Sequence, residues 1–237
     1  MFRALMIVVF YMFAVPIIGV IGIPWTLLTG NVEWLYNRAM WAALHGVLFA
    51  GVKVDVKGLE HLGPRKSYIF MCNHVSNLDP PIVVASIPGR TSILVKKEVF
   101  RVPILSYAMR LASMIPIDRQ NRESAIQSVE KARAVMQSGV HMTIFPEGTR
   151  SPDGRLMPFK KGPFHLAMET GFPVVPMTIF GSETLMPKGT MRVLPGRVTL
   201  VFHPPMDPSG FKDREALTQS VRDSIASALP GHMKPLD

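Results

Sequence analysis

The amino-terminal part of the chain restricts its fold most strongly, because a run of about 25 residues from Ala4 to Leu28 contains no charged residue. A helix of about 20 apolar residues is long enough to cross a bilayer. The apolar character continues past Ala14, whereas a cleaved signal peptide has a shorter apolar core followed by small residues. The segment is predicted to associate with a membrane, with core helices of a soluble domain as the alternative.

Two prolines and a second apolar stretch refine this prediction. Pro16 and Pro24 are expected to interrupt a straight helix, so that the segment kinks and re-enters instead of spanning. A second helix is predicted over Asn31 to Ala50, joined to the first near Thr29 to Asn31. Four aromatic residues suit the headgroup level of a bilayer: Trp25, Trp34, Tyr36 and Trp41.

From Gly51 onward, short apolar strand patterns alternate with helical patterns. The clearest helix covers Arg122 to Gln137 and ends before Gly139. This alternation predicts an α/β fold with a largely parallel central sheet flanked by helices. The predicted organisation is a hydrophobic two-helix membrane-associating segment at 1–50 and one α/β domain at 51–237.

Charge and hydropathy favour an anionic lipid partner. The chain has 26 Lys and Arg against 17 Asp and Glu, a formal net charge of +9, which predicts attraction to anionic surfaces or substrates. The mean hydropathy is positive at +0.23, and no base-reading basic helix or aromatic stacking motif is visible, so nucleic acid is not expected as a partner. The single Cys72 excludes an intramolecular disulfide and a cysteine-rich metal site, and it is expected to be a buried thiol in a reducing compartment.

The segment "NHVSNLDPP" follows an apolar strand pattern and places His74 five positions before Asp79. Asp79 with Pro80 and Pro81 predicts a helix start that the aspartate caps. A tight loop of this length can also fold the carboxylate against the imidazole, which would orient the ring as a general base. The alternative is that Asp79 only caps and His74 only packs. No metal is expected, because a further ligand is missing.

The segment "FPEGTR" follows a second strand pattern. Backbone N–H groups near Gly148 and Thr149, with the Arg150 guanidinium, can bind a phosphate. Glu147 would then bind a hydroxyl or fix a cation. The alternative is an internal ion pair between Glu147 and Arg150.

Further basic residues stand near the ends of predicted strands, where solvated surface positions are the alternative to a binding role. With Arg150 they would concentrate positive charge at one edge of the sheet, as an anionic substrate requires. Lys96 and Lys97 are therefore predicted to bind substrate. The full set is Lys96, Lys97, Arg119, Arg122, Lys160 and Lys161.

Four ordered blocks, "NHVSNLD", "IPIDR", "FPEGTR" and "VVPM", make the chain resemble the glycerolipid acyltransferase family over Asn73 to Pro176. The resemblance implies acyl transfer from acyl-CoA or acyl carrier protein, as co-substrate, to the free hydroxyl of lysophosphatidic acid, giving phosphatidic acid. It implies that His74 is the general base, that Asp79 orients it, and that no other cofactor takes part. It also implies a membrane enzyme, expected at the bacterial inner membrane with its catalytic domain on the cytoplasmic side.

The same resemblance assigns the substrate contacts. Arg119 and the loop of Glu147, Gly148, Thr149 and Arg150 would bind the phosphoglycerol part of the acceptor. Pro176 would shape the acyl or acceptor pocket, and Pro116 departs from the commoner pattern of the second block. Three alternatives remain: a different lysolipid acceptor, a non-catalytic membrane scaffold with this fold, and a hydrolase that transfers the acyl group to water.

Overall fold

The computed structural model describes residues 2–64, 67–101, 103–117 and 122–235, and these form an α/β fold. The helices are α1 (Phe2–Thr29), α2 (Glu33–Phe49), α3 (Asp79–Ser86), α4 (Pro103–Leu111), α5 (Arg122–Gln137), α6 (Lys161–Thr170), α7 (Ser182–Leu185) and α8 (Arg214–Ser227). The strands are β1 (Val52–Lys57), β2 (Ile69–Cys72), β3 (Thr91–Lys96), β4 (Ile115–Ile117), β5 (His141–Ile144), β6 (Val174–Phe180) and β7 (Gly196–Phe202).

The strands of the described residues form one sheet in the order β1-β7-β6-β2-β5-β3-β4. Neighbours from β6 through β2, β5 and β3 to β4 are parallel, and β1 is parallel to β7. Only the β6–β7 pair is antiparallel, so β7 and β1 run opposite to the other five strands. The predicted largely parallel sheet is confirmed.

The strand order predicts a crevice at the carboxyl ends of β2 and β5. The chain leaves β2 through α3 toward β3 on one side, and it leaves β5 through α6 toward β6 on the other side. Loops that depart in opposite directions from adjacent parallel strands leave an opening at their carboxyl ends, which is the usual ligand site of open α/β sheets. The two segments "NHVSNLD" and "FPEGTR" begin at these two strand ends.

Both faces of the sheet are covered, and β2 shows how the sequence distributes its side chains. Phe70 and Cys72 belong to the core cluster that includes α2 and α3, whereas Ile69 and Met71 belong to the cluster that includes α5, α6 and α8. This alternation follows from the two-residue period of a strand. Cys72 is fully buried as expected, and its burial raises the pKa of the thiol.

The amino-terminal helix is continuous, so the predicted interruption at Pro16 and Pro24 is wrong: both prolines lie inside α1. The helix packs along α2, where the Tyr11 hydroxyl donates to the Ala43 carbonyl at 2.8 Å. Most of its large apolar side chains remain exposed, and it is long and apolar enough to cross a membrane. An exposed apolar surface of this size marks a site of membrane or protein contact. Because α1 is also long and apolar enough to cross a bilayer, it indicates association with a membrane.

The aromatic residues differ in exposure, which bears on their predicted headgroup positions. Trp25 and Trp41 are about half exposed, and their position at the headgroups stays a prediction. Tyr36 is buried, and its hydroxyl accepts a hydrogen bond from the Thr91 amide at 2.9 Å. The prediction for Tyr36 is therefore wrong, because the amino end of α2 packs against the start of β3.

Candidate active site

His74 and Asp79 form a direct hydrogen bond at the carboxyl end of β2. Nδ1 of His74 lies 2.9 Å from Oδ2 of Asp79, where the side chain of Asp79 is fully buried and that of His74 is 15% exposed. An ionised carboxylate can only accept, so the proton of the neutral imidazole belongs on Nδ1 and Nε2 keeps a free lone pair. The predicted contact between the two side chains is confirmed.

Asp79 does not cap the helix that it begins, so that part of the prediction is wrong. Its Oδ2 accepts the backbone N–H groups of Val75 and Ser76, each at 2.7 Å, which precede α3. A cap is unnecessary because Pro80 and Pro81 have no N–H to satisfy. The Asp79 amide itself donates to the Ser76 carbonyl at 3.3 Å. The two prolines thus leave the carboxylate available to shape the loop around His74.

Ser182 completes the surroundings of Asp79 and was not foreseen from the sequence. Its Oγ donates to Oδ1 of Asp79 at 2.6 Å, and both residues are buried. Gly181 allows this placement, since it has φ +94° and an added Cβ would lie 2.3 Å from the Arg197 carbonyl oxygen. The available signal is the Gly-Ser pair directly after a strand, which becomes informative only when β6 is known to lie beside β2.

Glu147 holds the backbone of the histidine loop. Its Oε1 accepts the His74 amide at 2.7 Å and its Oε2 accepts the Met157 amide at 2.9 Å. The residue is 1% exposed, and it forms no ion pair with Arg150 among the described contacts. This position differs from the predicted contact with the acceptor, because both oxygens already bind backbone groups inside the protein.

The burial of Glu147 changes its acidity. Desolvation raises the pKa of the carboxyl to about 7, and the nearby charge of Asp79 acts in the same direction. The two backbone donors and the charge of Arg222 lower the pKa and offset part of this rise. Glu147 is therefore poised to change protonation near neutral pH, in direct contact with the loop that carries His74.

The loop after β5 restrains His74 in two further ways. The Phe145 ring stacks on the imidazole, with ring centroids 4.3 Å apart and planes inclined by 28°. The Ser151 amide donates to the His74 carbonyl at 2.8 Å. Together with Glu147, these contacts fix the backbone and one ring face of His74, so that its orientation does not depend on Asp79 alone.

The rest of the "FPEGTR" loop forms a turn that presents polar groups outward. Gly148 has φ +75° and its amide donates to the Phe145 carbonyl at 3.0 Å. Thr149 is exposed and Arg150 is partly exposed. Within the described residues, the Arg150 guanidinium has no hydrogen-bond or ion-pair partner, while its carbonyl accepts from Nζ of Lys188 at 2.6 Å. The guanidinium is thus available to an anion.

The structure describes only some of the other predicted cationic side chains. Lys96 ends β3, where it pairs with Ile117 of β4, and Lys97 follows it; the side chains of both lysines are outside the described part. Arg119 lies outside the described residues. Lys160 is exposed beside Gly148, but Lys161 lines a separate depression with α8.

Pro176 lies in the middle of β6, buried and paired in register with Met71 of β2. It is therefore part of the sheet two residues before the level of Asn73. Its predicted role in shaping a pocket remains a prediction.

Comparisons with known proteins agree with this geometry. A family model described as Acyltransferase matches residues 53–180, more than half of the chain. A 1-acyl-sn-glycerol-3-phosphate acyltransferase of Limnanthes alba is 35% identical over 96% of this chain and 84% of its own length, and the alpha form of Bos taurus is 32% identical over 93% and 78%. The solved structure of the 1-acyl-sn-glycerophosphate (LPA) acyltransferase PlsC from Thermotoga maritima superposes with a TM-score of 0.78, at 29% identity over 93% of this chain and 92% of that one.

The chain therefore belongs to the acyltransferase family, and it is an enzyme that transfers acyl groups. The matched region contains His74, Asp79 and the "FPEGTR" loop. It ends before Ser182, so the serine that contacts Asp79 lies just beyond the family model.

Proposed function

We propose that the enzyme transfers a fatty acyl group from an acyl thioester to the free sn-2 hydroxyl of 1-acyl-sn-glycerol 3-phosphate, giving phosphatidic acid for phospholipid synthesis. The observation that carries this proposal is the His74–Asp79 pair, in which Nε2 of His74 has no hydrogen-bond partner among the described residues, next to a loop that offers a guanidinium. The relatives named for this reaction cover nearly the whole chain, which supports the choice of acceptor.

In the proposed reaction, Nε2 of His74 removes the proton of the acceptor hydroxyl while its oxygen attacks the thioester carbonyl. The C–O bond forms, the C–S bond breaks, and the imidazolium returns the proton to the leaving thiolate. Asp79 keeps the ring oriented and stabilises the positive charge that develops on it. No side chain becomes acylated, so the reaction needs both substrates in the crevice together.

Binding of the acceptor is attributed to the cations at the carboxyl edge of the sheet. The Arg150 guanidinium is partly exposed and can bind a phosphate with two parallel hydrogen bonds. Lys96, Lys97 and Arg119 are proposed to contribute further positive charge. Thr149 is exposed on the same turn and can donate its hydroxyl or amide to a glycerol or phosphate oxygen.

The donor is proposed to be acyl-CoA or acyl carrier protein, both of which present the same thioester to His74. Another lysolipid, such as a lyso-ornithine lipid or a second lysophospholipid, is the alternative acceptor. A phosphate-binding loop favours lysophosphatidic acid over a zwitterionic headgroup, because Arg150 pairs best with a dianion.

We propose that the enzyme sits on the cytoplasmic side of a bacterial inner membrane, with α1 as its main lipid contact. Both ends of the α1–α2 pair remain close to the α/β domain. At one end the Arg3 guanidinium donates to the Ala50 carbonyl at 2.7 Å and lies against Gly51, where the domain begins, and at the other Glu33 pairs with Arg90 at 3.4 Å. This arrangement supports a helix that enters the membrane alongside the domain, close to the lipid acceptor.

The test is an acyl-transfer assay with the purified full-length protein, both donors and a panel of lysolipid acceptors. Acylation of lysophosphatidic acid with the highest kcat/KM supports the proposal. Preference for another lysolipid would change the acceptor and keep the class of enzyme. Thioester cleavage that does not depend on an acceptor would identify a hydrolase instead.

A further inference from the structure

We propose that the loop from Met186 to Pro195, here the 186–195 loop, is a second membrane-contact element that inserts into the headgroup layer beside the active site. The partner that the loop contacts is the surface of an anionic phospholipid bilayer. The inference rests on the proposed function only in treating the acceptor as a lipid that arrives from that bilayer.

The loop is fixed at its base, and its outer part exposes one methionine among polar and basic residues. The Leu194 amide donates to the Leu185 carbonyl at 2.9 Å, and Val193 is buried in the core, so the base is fixed. Met191 is 70% exposed and Leu194 is 38% exposed. A loop that is anchored at its base and keeps a methionine 70% exposed is suited to contact with an apolar medium.

The exposed surface of the loop continues into that of α1. Gly51 lies between them: a Cβ placed on it would be 3.3 Å from Pro195 Cβ and 2.5 Å from Nη1 of Arg3. Phe2 and Phe49, at the adjoining ends of α1 and α2, are 75% and 56% exposed. A membrane into which the amino end of α1 inserts would therefore also contact the 186–195 loop.

The loop also contacts both segments of the active site. The Ser76 hydroxyl donates to the Met186 carbonyl at 2.8 Å, and the amide of the same residue binds Asp79. On the other side, Nζ of Lys188 donates to the carbonyl of Arg150 at 2.6 Å. The 186–195 loop therefore joins the proposed membrane contact to both segments of the candidate active site.

The positive charge of the 186–195 loop favours an anionic bilayer over a protein as its partner. It contains Lys188 and Arg192, both exposed, and no acidic residue. A basic residue near an anionic bilayer strengthens binding about fivefold, and this attraction is independent of any particular shape. Two basic residues around an exposed methionine match the composition of interfacial anchors.

The position of the loop can be measured directly because Cys72, the only cysteine, is fully buried. A cysteine introduced as Met191→Cys is labelled with an environment-sensitive fluorophore, and Gln219→Cys on α8, which packs on the opposite face of the sheet, is the matched control. Full-length protein is then bound to vesicles of phosphatidylethanolamine and phosphatidylglycerol, with or without nitroxide-labelled lipid. Unmodified protein, treated alike, controls for labelling of Cys72.

The proposal predicts a blue shift and nitroxide quenching for the label at 191 and neither for the label at 219. A label at 191 that stays in water while the protein is vesicle-bound overturns it. A blue shift in the absence of vesicles also overturns it, since self-association would then cover the loop. This measurement does not use catalysis, so its failure is separable from a failure of the proposed acyl transfer.

A second measurement tests the role in acceptor entry. The double variant Met191→Ser, Leu194→Ser is compared with Leu59→Ser, which removes an equally exposed leucine after β1, at the other end of the β1–β7 strand pair. We expect kcat/KM for a long-chain acceptor in vesicles to fall about tenfold in the double variant, as loss of one apolar anchor implies. The value for a short-chain, water-soluble acceptor should stay unchanged. An equal fall for both acceptors would show a structural role and overturn this part.

Discussion

Asp79 binds His74 and the loop that carries it with the same oxygen: Oδ2 lies 2.9 Å from the imidazole Nδ1 and 2.7 Å from the amides of Val75 and Ser76. The carboxylate therefore sets the position of the histidine through both its side chain and its backbone. This double function suggests how the charge of Asp79 can be tested separately from its shape.

Asp79→Asn is expected to keep the fold and lose most of the activity. The amide oxygen of Asn can accept the imidazole and both loop amides, while its NH₂ group faces the Ser182 hydroxyl, which can accept. Only the negative charge that stabilises the imidazolium is lost. We expect kcat to fall by about 10² to 10⁴, the usual contribution of a positioned acid–base group, with little change in Tm. A kcat close to that of the wild type would show that the charge is not needed.

Ser182→Ala is expected to lower kcat about tenfold and leave KM nearly unchanged, because it removes one hydrogen bond from a buried carboxylate. Ser182→Thr keeps the hydroxyl and should restore a large part of the activity. Steady-state kinetics gives kcat and KM for both variants and the wild type, and circular dichroism verifies that the variants are folded. If alanine raises KM with kcat intact, Ser182 acts on substrate binding and not on Asp79.

The raised pKa of Glu147 predicts that this residue makes a pH-dependent contribution to the free energy of unfolding. Its pKa in the folded protein is about 7, above the ordinary value of 4.5, so the folded state binds the proton more tightly. The free energy of unfolding should therefore fall as pH rises from about 4.5 to 7, by roughly 3 kcal/mol from this group. Its contribution is largest below pH 4.5 and is lost above pH 7.

Glu147→Gln isolates that contribution. Glutamine does not titrate, so the wild-type free energy of unfolding minus that of the variant should decrease across pH 5 to 7, as measured by urea denaturation. The variant should also lose activity, because its NH₂ group faces a backbone N–H donor, an arrangement that costs about 1 to 3 kcal/mol. A difference that does not vary with pH would show that Glu147 is already ionised throughout this range.

The spacing of His74 and Asp79 allows their contact but equally fits a helix cap and a packed histidine, so the functional pair could be predicted only together with the ordered blocks downstream. The role of Glu147 could not, since a carboxylate in "FPEGTR" is equally suited to a hydroxyl or to two amides, and only burial decides. Ser182 is 103 residues from Asp79 and becomes its neighbour only through the strand order β6-β2. The burial of Tyr36 could not be predicted for a similar reason, because it depends on the contact of α2 with the start of β3.

Arg150→Gln is expected to raise KM for the acceptor by about 10- to 100-fold with a smaller effect on kcat, since a charge-assisted hydrogen bond contributes about 1.5 to 3 kcal/mol. Arg133→Gln is the matched control, because Arg133 is about as exposed but lies on α5 and binds Glu169. Titration of each variant with lysophosphatidic acid at saturating donor gives both constants. An unchanged KM in Arg150→Gln would exclude the guanidinium as a phosphate ligand.

The central claim is that His74 activates the acceptor hydroxyl, and the most direct test is transfer of a radiolabelled acyl group to lysophosphatidic acid by wild type and His74→Ala. The backbone of residue 74 is held by Glu147 and Ser151, so the variant should fold normally. The account predicts phosphatidic acid from the wild type and a decrease in kcat of about 10² to 10⁴ in the variant. Wild-type rates from a folded His74→Ala protein would contradict it.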